Sequence, residues 1–112
     1  MNPEQIVQQQ LEAYNSRDIE PFLKLFSSDI EMYNFATGEK TIQGLKALRD
    51  FYTALFEASP QLHSTILQRI CFGNKVIDYE QITGRNGNPE PLEMVLIFEV
   101  EGEKIIRVTV MK

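Results

Sequence analysis

Residues 62–84 read LHSTILQRICFGNKVIDYEQITG, two runs rich in β-branched and aromatic residues on either side of Gly73 and Asn74. That arrangement predicts an antiparallel hairpin, Leu62–Phe72 against Lys75–Gly84. A second hairpin follows, Leu92–Val100 and Lys104–Met111 around Glu101, Gly102 and Glu103, with Asn86–Pro89 in the loop between. In its first strand Met94, Leu96, Phe98 and Val100 share a face; in its second Ile106, Val108 and Val110 do, leaving Arg107, Thr109 and Met111 on the other. Upstream of residue 62 the period is different. Asn2, Pro3 and Gln5 have the residue types of a helix cap, first position and capping box, and Val7, Leu11 and Tyr14 then repeat at helical spacing. Asp18 is placed to cap a second, short helix carrying Pro21, Phe22, Leu23 and Phe26. Ile30–Phe35 reads as a strand, Thr37–Glu39 as a turn. After Gly44 a third helix carries Leu45, Leu48, Tyr52 and Leu55, widened by Phe51 and Phe56 and stopped by Ser59 and Pro60. The expected fold class is α+β, with helices in the first half and an antiparallel sheet in the second.

Composition narrows the function. The chain has 112 residues, 43% hydrophobic and 24% charged, which suits one domain over 1–112 that gains from a partner. Sixteen acidic against eleven basic residues give a net charge of −5, with no basic run, which argues against nucleic acid. Apolar stretches are too short to span a bilayer and Met1–Gln10 lacks the features of a signal sequence, so no membrane association and a cytoplasmic location are expected. One cysteine excludes an internal disulfide. With a single histidine there is no Cys/His metal set, and no calcium-loop spacing appears, so neither metal nor cofactor is expected. Cys71, between Ile70 and Phe72, reads as a packed, inert thiol.

Counting back from Phe72 paired with Lys75 puts Arg69 opposite Asp78 and Leu67 opposite Glu80. His63, Thr65, Leu67 and Arg69 then share a face with Asp78, Glu80 and Ile82. This concentrates charge on one face of a strand pair, and buried carboxylates need hydrogen bonds, a cation or an altered protonation state.

Ala13-Tyr14-Asn15 followed by Asp18, the Leu25-Phe26 to Asp29 segment, Gly44 before the third helix and Leu48-Arg49-Asp50-Phe51-Tyr52 together resemble the superfamily of nuclear transport factor 2, the ketosteroid isomerases and the polyketide-cyclase-like (SnoaL-like) small proteins. The resemblance covers nearly the whole chain. It implies a cone: three helices packed on a curved, mainly antiparallel sheet, with a pocket that Tyr14, Asp78 and Glu80 within apolar walls suit to a compact, partly apolar small molecule; Arg107, Thr109 and Met111 give the convex sheet face a mixed surface suited to a homodimer. It puts the isomerase's oxyanion tyrosine at Tyr14 and the supporting tyrosine at Tyr52. Its base falls near Asn34 and its second oxyanion donor near Leu96, so both acids are absent, and neither an amide nor an aliphatic side chain replaces them. A steroid isomerase pairs a carboxylate base with a neutral carboxylic acid as donor, a requirement that this chain does not meet at those positions.

The same match turns Asp78, Glu80 and Ile82 toward the pocket with Phe98, Ile106 and Val108. The candidate catalytic residues are therefore Tyr14, Asp78 and Glu80, and the candidate ligand-binding residues Asn34, Tyr52, His63, Arg69, Leu96 and Phe98. Each has a structural alternative. Tyr14 and Tyr52 suit the core, Arg69 and Asp78 a structural pair, Glu80 an internal hydrogen bond, His63 a solvent-facing rim and Asn34 a turn. The resulting functions are cofactor-independent acid/base isomerisation, dehydration or cyclisation, or binding and interaction without catalysis.

Overall fold

The computed structural model describes residues 1–112. In chain order the elements are α1 (Pro3–Ser16), α2 (Ile19–Leu23), β1 (Phe26–Asn34), β2 (Lys40–Gln43), α3 (Gly44–Ala58), β3 (His63–Phe72), β4 (Lys75–Thr83), a 3₁₀ turn (Arg85–Gly87), β5 (Leu92–Glu101) and β6 (Lys104–Met111). The capping box forms as expected: the Gln5 N–H donates to Asn2 Oδ1 at 2.8 Å and the Asn2 N–H to Gln5 Oε1 at 2.9 Å. The face of α1 carrying Ile6, Val7, Gln10, Ala13 and Tyr14 is buried. The helix ends where Arg17 turns left-handed, and the Arg17 guanidinium offsets that strain by donating to the carbonyls of Asn15 and Leu62.

Asp18 occupies the cap position of α2, but its side chain makes no cap hydrogen bond. The helix stops at Leu23, so Phe26 opens β1 instead of extending the helix. Its ring still lies 4.9 Å from that of Phe22, so its apolar character serves the core from a strand. Strand β1 thus begins four residues before Ile30. The four-residue β2 has no counterpart in the sequence reading: Ile42 is its only buried side chain, which leaves no alternation to read.

The six strands form one mixed sheet in the order β2-β1-β6-β5-β4-β3, antiparallel throughout except for the parallel β1–β6 pair. Packed by α1 and α3 on its inner face, it forms the expected cone. An aromatic cluster of Tyr14, Phe22, Phe26, Tyr52 and Phe56 knits helices to sheet, with ring centroids between 4.7 and 6.4 Å apart.

Two bulges revise the expected register. Arg69 does face Asp78, but a bulge between Ile66 and Gln68 skips Leu67, so Glu80 faces Ile66. One extra residue inverts the side-chain parity. Upstream of it Ser64 is buried on the inner side, while His63, Thr65 and Leu67 are exposed. A second irregularity between Glu99 and Val100 pairs Val100 with Ile105, and Ile105, not Ile106, is the fully buried residue there. Cys71 is exposed, not packed, near the turn end of β3, the sheet's outer strand.

Candidate functional site

A cavity of about 250 Å³ opens within the cone. Its apolar wall comes from β1, β2 and β4–β6, through Met32, Ile42, Ile82, Met94, Leu96 and Val110. Polar groups reach it from Gln10 and Tyr14 on α1, Tyr52 on α3, Asn34 on β1, Glu80 on β4 and Arg85 in the 3₁₀ turn. This is a small pocket with a few polar groups on apolar walls, suited to a compact molecule.

Glu80 is held from below by a chain of hydrogen bonds. The Asn15 side chain pairs with the Ser64 backbone, donating from Nδ2 to the carbonyl at 3.0 Å and accepting the N–H at Oδ1 at 2.8 Å. The Ser64 hydroxyl then donates to Glu80 Oε1 at 2.6 Å. Glu80 is 6% exposed and forms no ion pair within the chain. Burial pushes its carboxyl up to about 7; the Ser64 hydroxyl pulls the other way and the charge of Asp78 adds to the rise.

Tyr14 and Tyr52 meet edge to face, their centroids 6.4 Å apart, rather than through their hydroxyls. Both phenols are shifted upward, Tyr52 to about 12, chiefly by burial, with Arg85 opposing the rise in each. Both therefore stay protonated as hydrogen-bond donors. No buried side-chain polar atom lacks a partner, and neither hydroxyl is engaged within the protein, so both reach accessible space at the cavity they line.

Of the remaining candidates, Asn34 and Leu96 line the cavity. Asn34 also accepts the Ala36 N–H at Oδ1, so it ties down a turn as well. Asp78 and Arg69 do not line it. Arg69 donates from Nε and an η nitrogen to the two Asp78 oxygens at 2.7 and 2.9 Å and to Gln8 at 2.9 Å, closing a pair in which Asp78 is 1% exposed. Phe98 is a core residue, fully covered. His63 is exposed and lies off the cavity, on the face to which the bulge turns it. Nowhere do three or more His, Cys, Asp or Glu side chains converge as a metal-ligand set, and no helix is long and apolar enough to cross a membrane.

Arg85 is the residue that sequence reading missed. Gly84 precedes it with φ +74°, and a Cβ there would sit 2.3 Å from the Gln61 carbonyl oxygen. Only glycine lets the two backbones pass so closely. The turn is then pinned to the end of α3 by the Asn86 N–H donating to Ser59 Oγ at 2.8 Å. The run Gly84-Arg85-Asn86-Gly87-Asn88-Pro89 signals a loop, and a loop signal carries no information about which cavity it borders.

Residues 7–108 match the model of the SnoaL-like domain. No curated protein matches the chain. Among solved structures, an uncharacterised cystatin-fold protein from Novosphingobium aromaticivorans superposes with a TM-score of 0.90 at 26% identity, covering 100% of this chain and 99% of that one. An NTF2-like protein of unknown function from Cytophaga hutchinsonii gives 0.81 at 13% identity, covering 98% and 88%. A protein with a ketosteroid-isomerase-like fold from Catenulispora acidiphila, in complex with trimethylamine, gives 0.77 at 21% identity, covering 98% and 85%.

Proposed function

This chain belongs to the SnoaL-like domain family of the NTF2-like superfamily, and from that premise we propose that its cone binds a compact, partly apolar organic molecule and moves a proton on it without a cofactor. One observation carries this reading: Glu80, a buried carboxyl with no cation partner, borders the same cavity as two protonated tyrosine hydroxyls. In its ionised form Glu80 takes a proton from the carbon beside a carbonyl. The electron pair moves onto the carbonyl oxygen, where Tyr14 or Tyr52 donates to the resulting oxyanion. Return of the proton to another carbon completes an isomerisation; loss of a β-hydroxyl as water with the proton held by Glu80 gives dehydration, and attack of the enolate carbon on a second carbonyl, with that proton passing to the new alkoxide, gives cyclisation. The work of the base missing at Asn34 moves in this reading to Glu80, and that of the donor missing at Leu96 to Tyr52.

Exchange of carbon-bound hydrogen for deuterium, followed by NMR across a broad set of enolisable carbonyl compounds, tests this. Wild type is expected to accelerate exchange for at least one compound, with Tyr14→Phe reducing it about tenfold or more and Glu80→Gln abolishing it. Equal exchange in wild type and both folded variants rejects the assigned roles. Saturable binding without exchange favours a binding protein on the same scaffold.

We also propose a cytoplasmic homodimer through the convex sheet face. The register aligns Ile70, Ile77, Ile97 and Thr109 across four strands on the side away from the helices, and the outermost of them, β3, also exposes Phe72 at 76%. A second copy would cover this row and protect the long edge of β3. Sedimentation should show a dimer that Ile97→Glu turns into a monomer; a wild-type monomer at high concentration overturns it.

A further inference from the structure

The chain has five arginines, and four have their charge or their donors engaged within it. Arg49, Arg69 and Arg107 pair with Glu20, with Asp78, and with Glu31 and Glu99. Arg17 donates to two backbone carbonyls. Arg85 does neither, nor does it lie over an aromatic ring as Arg107 does over Tyr33. Yet it is half-buried and lines the cavity, on a turn that a glycine no other residue could replace and a Ser59 hydrogen bond hold in place. In an acidic chain, a partly desolvated guanidinium left without a carboxylate while carboxylates are plentiful is an open valence for an anion.

Building on the pocket reading above, we propose that the cavity takes compact organic carboxylates, whose carboxylate is received by Arg85 while the apolar body lies against Ile82, Met94 and Leu96. The planar guanidinium offers parallel N–H donors to both carboxylate oxygens. The charge of Arg85 reaches both tyrosine hydroxyls, opposing the rise that burial imposes on them, so an anion at Arg85 lies beside two protonated phenols able to donate to it or to an adjacent carbonyl. Glu80 is the other buried charged group at the cavity, which exposed Lys112 also borders. Burial raises the Glu80 pKa to about 7, which lessens its repulsion of an anion at neutral pH while leaving an ionised fraction to act as base. The substrate class this points to is a small acid carrying its reacting carbonyl close to the carboxylate.

The test is NMR titration of the full chain with benzoate, cyclohexanecarboxylate and phenylpyruvate, with the neutral amide of each, and with tetramethylammonium as the opposite charge. Carboxylates are expected to bind about tenfold or more tightly than their amides, shifting the resonances of Tyr14, Glu80 and Arg85. Arg85→Gln should erase the preference and Arg85→Lys should restore part of it, both with spectra unchanged away from the cavity, since the Arg85 side chain makes no hydrogen bond or ion pair within the chain. Amides binding as well as acids, a preference that survives Arg85→Gln, or tighter binding of tetramethylammonium overturns the carboxylate assignment and leaves the pocket reading intact. If no probe of any charge shifts those resonances, the pocket reading itself fails and this inference with it.

Discussion

Asp78 and Glu80 lie two residues apart on one strand, point to the same side of the sheet and are both almost wholly buried, yet the fold treats them oppositely. Asp78 receives both arms of the Arg69 guanidinium, which is anchored in turn by Gln8. Glu80 receives one hydroxyl hydrogen bond and opens on the cavity. A buried acid given a cation has both its oxygens occupied and is a closed unit. Given only a neutral donor, the same kind of group is left near its titration point at ordinary pH, which makes it available for chemistry and makes it a cost to stability. Plain register from the turn brings Arg69 to Asp78, and the bulge at Leu67 beyond it turns Ser64 toward Glu80, which gives that acid its single donor.

The largest effect should come from breaking the closed unit. Arg69→Met leaves Asp78 buried with no counter-charge and is expected to cost about 3–5 kcal/mol in urea unfolding at neutral pH. Adding Asp78→Asn should recover much of that loss, because the orphaned charge is gone. A loss below about 1 kcal/mol in the single variant would show that Asp78 does not depend on Arg69.

Glu80 should behave in the opposite way. Its folded pKa, about 7, is above the ordinary 4.5, so its favourable contribution is complete below pH 4.5 and is lost as pH rises through 7. A shift of that size corresponds to about 3 kcal/mol between the protonation states. Glu80→Gln carries no such titration. Relative to wild type it should gain stability as pH rises from 5 to 9, by about 1–3 kcal/mol at the upper end, while losing activity. Parallel stability–pH curves for the two proteins would show that the carboxyl is not held in its neutral form.

Ser64→Ala gives the smallest effect and the finest discrimination. Removing the donor that favours the carboxylate should raise the Glu80 titration further, seen in the side-chain carbon shift by NMR, at a stability cost of about 1 kcal/mol. The Asp78–Arg69 pair should not respond, since Ser64 does not touch it. An unmoved Glu80 titration would mean that the 2.6 Å hydrogen bond has no hold on its protonation.

The site is partly legible without the fold. Tyr14 and Glu80 stand out in the sequence as an aromatic donor and an inward-facing acid, and both border the cavity. Arg69 opposite Asp78 follows from counting back along the hairpin, and the pair forms. Counting fails one step further on, at Leu67, because a bulge is a decision about how two strands fit a curved sheet and has no marker within the run ILQR. The same slip misplaces His63. Phe26 reads as helical because an apolar residue four positions after Phe22 suits a helix face, whereas the strand puts it against the same ring.

By itself the sequence determined the three helices, the two hairpins and hence the α+β class, because each rests on local causes: a capping box, the 3.6-residue and two-residue repeats of apolar side chains, and glycines at turns. Alternation along an unbroken strand also put Asp78 and Glu80 on one face of β4, and the family resemblance, not the counting, marked that face as the inner one. Only the tertiary structure decided what holds the acid left without a cation, because a bulge in the neighbouring strand turns Ser64 toward Glu80. The parallel pairing of β1 with β6 and the placing of Arg85 at the cavity were likewise decided only there, each being a meeting of segments distant in the chain and set by how curved layers close on one another.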